Sequence, residues 1–281
     1  MKKSLRRLGA GMRKLLKSRA GCIGLIIVGV IVLLAILAPV LSPYDPLEMD
    51  SKNRLQGPSG AHPLGTDEYG RDQLSRILYG ARSSLKTGIL SIAIAAVVGV
   101  NIGLMSGYFR KAFDAISMRL MDAVISFPAT LLAVVVIAIV GTGSLSAMLA
   151  IAIVNIPSFA RLTRANVLSE GNKGYVQAGR ALGYGHTRMM YLEILPNILS
   201  TLFVQVTVSI ASAILLESAL SFLGLGNPPP APSWGMMLSV GKDYLLFTPW
   251  YAIFPGVALT LLITGLYLLG DGLRDVFDPR H

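Results

Sequence analysis

The chain has 281 residues, of which 53% are hydrophobic and only 14% are charged, and its formal net charge is +10. Soluble domains carry about 25% charged residues. This composition therefore excludes a soluble enzyme, a disordered chain and a nucleic-acid-binding domain, and the basic excess is better explained by membrane topology. Because Cys22 is the one cysteine, no disulfide can form within the chain, and the three scattered histidines indicate no zinc site.

Six apolar runs approach the length of about 20 residues that a membrane-spanning helix needs. They are residues 21–41, 85–108, 116–140, 144–160, 198–223 and 251–269. The first run exceeds the apolar core of about 7–15 residues in a signal peptide, and no small-residue cleavage site follows it, so we expect it to be retained. The sequence predicts an all-α, multi-pass membrane protein with six transmembrane helices.

The distribution of basic residues predicts the orientation. Residues 1–20 carry eight Lys and Arg and no acidic residue, which by the positive-inside rule places this segment in the cytoplasm. Counting spans from there puts both termini inside. The expected organisation is a basic cytoplasmic segment, a first transmembrane helix, an extracytoplasmic segment and a core with five further spans, with boundaries at 1–20, 21–42, 43–84 and 85–281. The core includes an inner loop at 161–197 and a cytoplasmic tail.

Catalytic signals are missing from the sequence. It has no Gly-x-x-x-x-Gly-Lys-Ser/Thr phosphate loop and no readable Ser/His/Asp arrangement, so we predict neither an ATP site of that type nor catalytic residues. We interpret Glu217 as the one strongly charged residue inside a predicted span. At a helical rise of about 1.5 Å per residue it would lie near the outer boundary, where we expect its carboxylate to stay solvated.

Small residues recur at every fourth position of the second run. Ala95, Gly99, Gly103 and Gly107 would form a smooth groove along one helix face, which lets another helix approach closely. Packing within the chain and an interface with a partner subunit both remain open.

Polar residues also occur inside the predicted spans. Gln205, Ser209 and Ser212 lie on one face of the fifth helix, and Asn101 and Asn155 lie in the second and fourth. Such side chains usually face the bundle interior or a water-filled path. They indicate either a translocation path or hydrogen bonds between helices.

The inner loop carries a helical pattern. Tyr175, Ala178 and Leu182 recur near helical spacing. Gly183 is expected to end this short helix, where a glycine allows either a positive φ or a close backbone approach. A second helix would then lead to Pro196, where we expect a bend. Such a projecting helix suits a docking surface, on which Tyr175, Ala178 and Leu182 would be apolar contact residues in a groove of a cytosolic partner. The alternative is an interfacial anchor.

Residues 177–183, together with residues 194–196 further along the loop, resemble the Glu-Ala-Ala…Gly…Leu-Pro loop of bacterial ABC importer permeases. Gln177, Gly179 and Glu193 depart from that pattern. The resemblance implies that this loop couples the permease to an ATPase. The implied coupling residues are Tyr175, Gln177, Ala178, Gly179, Arg180, Ala181, Leu182, Gly183, Leu195 and Pro196. Because Arg180 lies off the apolar stripe, we expect it at the rim of the contact or facing lipid headgroups.

Three further segments narrow the resemblance. Residues 62–72, 217–226 and 270–275 are similar to the dipeptide/oligopeptide/nickel permease family, and the order of motifs with the long basic N-terminus is similar to its C-type subunit. The resemblance implies a type I ABC importer permease fold and four kinds of partner: a homologous B-type permease, two cytosolic ATPase subunits, an extracytoplasmic solute-binding protein and the lipid bilayer.

The same resemblance implies the chemistry of transport. The partner ATPases would use ATP and Mg²⁺, and this chain would bind no cofactor and no metal itself. Short peptides are the expected substrate, with a nickel chelate as the alternative within the family. A stand-alone channel or ion-coupled carrier is the alternative outside it.

The outer segment contains turn signals and mixed charge, and we expect an ordered lobe over residues 43–83. Asp67, Glu68, Arg71 and Asp72 would then contact the incoming binding protein or substrate. The alternative is a lid that packs on its own bundle.

Overall fold

The computed structural model describes residues 18–277, and this part of the chain is helical apart from turns and one isolated bridge between Thr66 and Asp72. The helices are α1 (Arg19–Leu41), α2 (Gln73–Phe109), α3 (Lys111–Ile125), α4 (Ala129–Val140), α5 (Ser144–Glu170), α6 (Gly174–Ala181), α7 (His186–Phe222), α8 (Trp234–Gly241) and α9 (Trp250–Phe277). Short 3₁₀ turns lie at Ser51–Asn53 and Lys242–Tyr244.

Five helices, namely α1, α2, α5, α7 and α9, are each long and apolar enough to cross a membrane. Helices α3 and α4 meet the same test together, but a bend of 96° separates them. The prediction of one continuous third span is therefore wrong. Proline disfavours helical geometry in the residue before it, and Pro128 stands directly before α4, so the chain turns there. Six spans result when this bent pair counts as one.

Helix α2 begins at Gln73 and not at residue 85, so residues 73–84 are helical rather than part of an outer loop. The Asp72 carboxylate caps it by accepting a hydrogen bond of 2.8 Å from the Ser75 backbone N–H. With 37 residues, α2 is about 55 Å long, which exceeds the bilayer core of about 30 Å. Its first turns therefore extend beyond that core into the outer segment, and we call this side of the bundle the lobe end.

The inner loop is shorter than predicted, because α5 continues through Pro157 to Glu170. The expected bend at Pro196 is also wrong. A π-helical turn at Met189–Ile194 leads directly into the α-helical part of α7, so His186–Phe222 is one helix of 37 residues. Local π geometry is one way in which membrane helices accommodate the missing N–H of a proline. The side of the bundle with α6 is called the loop end.

The small residues of α2 lie against α5. A Cβ at Gly99 would lie 2.6 Å from the Ile156 carbonyl oxygen, and Gly103 and Gly107 face the next two turns of α5 in the same way. Helix α1 approaches α9 similarly, since a Cβ at Gly24 would lie 2.7 Å from the Gly265 carbonyl oxygen. Helix α7 contacts α2, α5 and α9 and lies at the centre of the bundle.

Candidate coupling site

Helix α6 ends in a Schellman motif at the loop end. Gly183 has φ +76°, so the positive φ is the one of the two expected reasons for glycine that applies here. The Tyr184 N–H donates to the Gly179 carbonyl and the Gly183 N–H to the Arg180 carbonyl, both at 3.0 Å. A Cβ at Gly183 would meet open space, so backbone conformation and not crowding favours glycine here.

One face of α6 packs on the bundle. Val176 and Gly179 are buried, and Val176 belongs to an apolar cluster with Val167 of α5 and Met189 of α7. A Cβ at Gly179 would lie 2.9 Å from the Met189 sulfur, which explains why glycine stands where the resembling loops have alanine. Sequence reasoning considered the stripe of Tyr175, Ala178 and Leu182 and did not identify Val176 as the residue that packs on the bundle.

The opposite face of α6 is exposed. Leu182, at the end of this face, is 72% exposed. The exposed coupling residues from the sequence analysis are Tyr175, Gln177, Ala178, Arg180, Ala181, Leu182 and Gly183. Leu195 and Pro196 lie apart from them, in the first turn of the α-helical part of α7.

Tyr175 is not a free apolar side chain as predicted, because its hydroxyl is held by two groups. It donates a hydrogen bond of 2.6 Å to Glu170 Oε2 and accepts one of 3.3 Å from Asn197 Nδ2. Burial, together with the hydrogen bond to Glu170, raises the pKa of Tyr175 to about 12. The phenol therefore keeps its proton at neutral pH. We call Glu170, Tyr175 and Asn197 the Tyr175 junction.

Aromatic residues connect the loop to the end of α2. The Tyr108 hydroxyl lies 3.1 Å from His186 Nδ1, and the Arg180 guanidinium lies 5.5 Å from the centre of the Tyr108 ring. Arg180 therefore faces an aromatic ring at the end of α2. Neither contact was predicted, since no sequence pattern relates residue 108 to residue 186.

Ion pairs join α3 to α5 at the loop end. Arg164 holds Asp114 through two hydrogen bonds, one of them 2.6 Å, and Arg161 pairs with Asp122. Because Asp122 lies in the predicted third span, Glu217 is not the one strong charge inside a span. The carboxylates at the loop end accept charge-assisted hydrogen bonds that fix α3 to α5.

The five polar residues predicted for a translocation path are not brought together. Gln205 Nε2 donates to the Ser209 hydroxyl at 3.1 Å, which is the one hydrogen bond between members of the set among the described residues. Asn155 donates to a carbonyl of its own helix, and Ser212 lies 3.3 Å from the Tyr267 hydroxyl of α9. Asn101 accepts a hydrogen bond from Tyr191. Their contacts correspond to hydrogen bonding within and between helices.

Two of these residues line different cavities. Gln205 lies in a cavity of about 500 Å³ between α7 and the end of α9, together with Asp271 and Arg274. Asn101 lies in an apolar groove of about 300 Å³ between α2 and α7. Neither of these two cavities is lined by more than one of the five side chains.

The expectation that Glu217 is solvated is wrong. Its side chain is 2% exposed and accepts hydrogen bonds from Ser84 on α2 at 3.1 Å and from Ser221 on its own helix at 2.8 Å. Counting residues along one helix could not predict this burial, because it depends on another helix. The first turns of α2 pack against α7 at the level of Glu217. Ser84 had been assigned to the loop before the helix.

The outer segment is ordered, and the four charged residues that were expected to form its contacts face inward. Asp67, Glu68, Arg71 and Asp72 are 0%, 9%, 4% and 2% exposed. Arg71 Nε lies 2.5 Å from Asp67 Oδ2, and the Asp72 carboxylate caps α2 and lies 3.0 Å from His62 Nδ1. Their burial contradicts the predicted contact with a binding protein. These four side chains agree with the alternative expectation, in which the outer segment is a lid that packs on its own bundle.

This lobe, which we define as residues 43–72, is fixed to the bundle at several points. Tyr251 donates its hydroxyl hydrogen to Glu68. Arg76 Nη1 donates to the Pro46 carbonyl at 2.9 Å, and Gln73 Nε2 donates to the Tyr251 carbonyl at 2.8 Å. The lobe, the start of α2 and the start of α9 therefore form one packed unit at the lobe end.

Comparisons with known proteins agree with this architecture. Residues 99–281 match the family described as "Binding-protein-dependent transport system inner membrane component", and residues 8–58 match the "N-terminal TM domain of oligopeptide transport permease C". The dipeptide transport system permease protein DppC of Alkalihalophilus pseudofirmus is 41% identical, over 95% of this chain and 88% of that protein. The di/tripeptide permease DppC of Pseudomonas aeruginosa is 43% identical over 92% and 87%.

A glutathione transport system permease, GsiD of Pectobacterium atrosepticum, is 39% identical over 95% of this chain and 89% of its own length. Among solved structures, a chain of the MetNI methionine ABC transporter in inward facing conformations superimposes with a TM-score of 0.60 at 19% identity, covering 73% of this chain and 98% of that one. This likeness confirms the predicted importer permease fold. The chain belongs to the binding-protein-dependent transport system inner membrane components and, among them, to the C-type permeases of the dipeptide/oligopeptide ABC importer family.

Proposed function

We propose that this chain and a homologous B-type permease together form the translocation path of an ATP-driven importer of short peptides. The observation that carries the proposal is α6, a short helix that is packed on the bundle through Val176 and exposes Ala178 and Leu182 on its outer face. An exposed apolar helix face suits insertion into a groove of a partner. Family membership supports ATPase subunits as that partner.

The chain is proposed to be a non-catalytic subunit. Two ATPase subunits would dock on the segment 161–197 and bind ATP and Mg²⁺, and this chain would hold neither. Its relatives are permease proteins by name, which supports this division of labour. Movement of the docked helix would reach the spans because His186–Phe222 is one helix.

The proposed orientation places both termini and α6 in the cytoplasm and the lobe outside. It rests on the eight basic residues within 1–20 and on the positive-inside rule. A solute-binding protein would then deliver substrate at the lobe end. Since Asp67, Glu68, Arg71 and Asp72 are buried, exposed residues such as Tyr69, which is 48% exposed, would form the outer contact surface.

Short peptides are the proposed substrate class. The relatives named above carry dipeptide, di/tripeptide and glutathione in their names. The binding protein would set most of the specificity, because it selects the substrate before delivery.

The test is transport by the whole complex in liposomes. The permease pair, the ATPase pair and the binding protein are reconstituted, and uptake of a labelled dipeptide is measured together with ATP hydrolysis. We expect uptake that requires both ATP and the binding protein. Uptake without ATP would indicate a channel or carrier instead, and uptake of a nickel chelate but of no peptide would contradict the substrate assignment.

A further inference from the structure

We propose that the Tyr175 junction makes the coupling helix move α5 and α7 together, so that Tyr175 is a positioning residue for transport. The inference rests on the proposed function, in which an ATPase displaces α6. It adds a specific connection that the docking surface alone does not supply.

The junction lies where three helices meet. Glu170 is the last residue of α5, Tyr175 lies in the first turn of α6, and Asn197 lies at the start of the α-helical part of α7. The single phenol hydroxyl contacts both neighbours, donating to Glu170 at 2.6 Å and accepting from Asn197 at 3.3 Å. A hydroxyl can do both at once, whereas a phenylalanine ring of nearly the same shape can do neither.

The partners of Tyr175 are themselves held in place. Glu170 is 8% exposed, and its second oxygen accepts a hydrogen bond of 2.6 Å from Lys173 Nζ. Asn197 Nδ2 also donates to the Glu193 carbonyl of its own helix at 2.7 Å. A displacement of Tyr175 therefore acts on groups that are fixed to α5 and α7, and the bond to the carboxylate is of the stronger, charge-assisted kind.

The covalent links around α6 are less suited to transmit force. The chain between α6 and α7 contains Gly183 and Gly185, and the chain between α5 and α6 begins with Gly171. Glycine permits the widest range of backbone conformations. The apolar contact of Val176 keeps α6 on the bundle, while the polar junction fixes its position relative to both spans at once.

The experiment compares two tyrosine-to-phenylalanine variants in the same loop. Tyr175→Phe removes the junction hydroxyl. Tyr184→Phe is the matched control, because the Tyr184 hydroxyl makes no hydrogen bond among the described residues. Its ring, which the substitution keeps, lies 3.7 Å from the Arg188 guanidinium. Both variants are purified with the ATPase pair, and peptide uptake and ATP hydrolysis are measured in the same liposomes.

We expect both variants to assemble with the ATPases, and uptake is expressed per ATP hydrolysed so that a change in the hydrolysis rate alone does not affect the comparison. Uptake per ATP should fall about tenfold in Tyr175→Phe, the size expected for losing one hydrogen bond to a charged group. The ratio should not change in Tyr184→Phe. Asn197→Leu should lower the ratio too, and the double variant with Tyr175→Phe should lose no more than the more affected single variant, because both break one junction.

An unchanged ratio in Tyr175→Phe, or an equal loss in Tyr184→Phe, would overturn the inference. Failure of Tyr175→Phe to assemble with the ATPases would also overturn it, since the residue would then have a structural role. If the unmodified complex shows no ATP-dependent uptake, the proposed function itself fails, and that outcome is distinct from a normal complex with an insensitive Tyr175.

Discussion

The Ser84 hydroxyl donates a hydrogen bond of 3.1 Å to the Glu217 carboxylate and thereby joins α2 to α7 at a buried position. A buried carboxylate is costly unless it accepts hydrogen bonds. Here Ser84 and Ser221 provide them, and the Ser218 hydroxyl lies 3.5 Å away. Glu217 is thus a connection between two spans at the lobe end.

Replacing Glu217 should reveal this connection. Glu217→Ala leaves the hydroxyls of Ser84 and Ser221 without their buried acceptor and should destabilise the protein by about 2–4 kcal/mol. Glu217→Gln keeps a carbonyl acceptor in the same place and should cost less. Thermal unfolding of the assembled complex measures both variants. Midpoints that match the unmodified protein for Ala and Gln alike would mean that the carboxylate is solvated.

The close contact of α2 with α5 predicts a strong size dependence at Gly103. A Cβ there would lie 2.6 Å from Thr163 Cβ, so Gly103→Val must separate the two helices. We expect a loss of about 1–3 kcal/mol, as for overpacked cores. Gly29→Val in α1 is the control, because a Cβ at Gly29 meets no atom within 4 Å. Equal unfolding midpoints for the two variants would refute the close packing of α2 on α5.

Asp67 should be needed for an ordered lobe. Arg71 Nε lies 2.5 Å and Arg76 Nε 3.3 Å from Asp67 Oδ2, and all three side chains are buried. Asp67→Ala leaves both guanidinium groups without this carboxylate, which for buried pairs costs about 3–5 kcal/mol. Limited proteolysis of the assembled complex should then cut within residues 43–72.

Glu48→Ala is the control for the lobe, since Glu48 is exposed. It should leave the lobe resistant to proteolysis. Resistance of Asp67→Ala at the same protease concentration would show that the ion pairs are dispensable for lobe order.

The Schellman turn predicts an effect of backbone conformation at Gly183. Its φ of +76° is unfavourable for a β-branched residue, so Gly183→Val should strain or reshape the end of α6, at a cost of about 1–3 kcal/mol. Membrane insertion should be normal because the turn lies outside the spans. Association with the ATPase pair, measured by co-purification, or uptake per ATP should fall.

Two substitutions separate conformation from size at this turn. Asparagine tolerates the left-handed region, so Gly183→Asn should retain more association than Gly183→Val. Gly185 has φ −62° and open space around its Cβ position, so Gly185→Val should have little effect. Equal losses at 183 and 185 would contradict the role assigned to the positive φ.

Three features could be predicted because each depends on a local pattern in the chain. They are the membrane spans, the groove of small residues and the end of a helix at Gly183. The groove follows from a four-residue period that α2 keeps from Ala95 to Gly107. The start of α2 could not be predicted in this way. Gln73, Ser75 and Arg76 are polar and suggest a loop, but the lobe and the start of α9 bury them.

The functional residues that were missed depend on contacts between distant segments. Asp67 and Arg71 were interpreted as surface charges, since sequence alone does not show that they pair with each other and are covered. Tyr175 was interpreted as an apolar contact residue, because its hydroxyl acquires a role only once α5 ends at Glu170 and Asn197 is placed beside it.

The most direct test of the central claim, that α6 docks on the ATPase, is site-specific photocrosslinking in the assembled complex. A photoreactive amino acid at Leu182, which is 72% exposed at the loop end, is compared with one at Leu246, which is 93% exposed at the lobe end. The account predicts adducts with an ATPase subunit from position 182 and none from position 246. A complex that hydrolyses ATP but gives no adduct from position 182, or gives ATPase adducts from position 246, would contradict it.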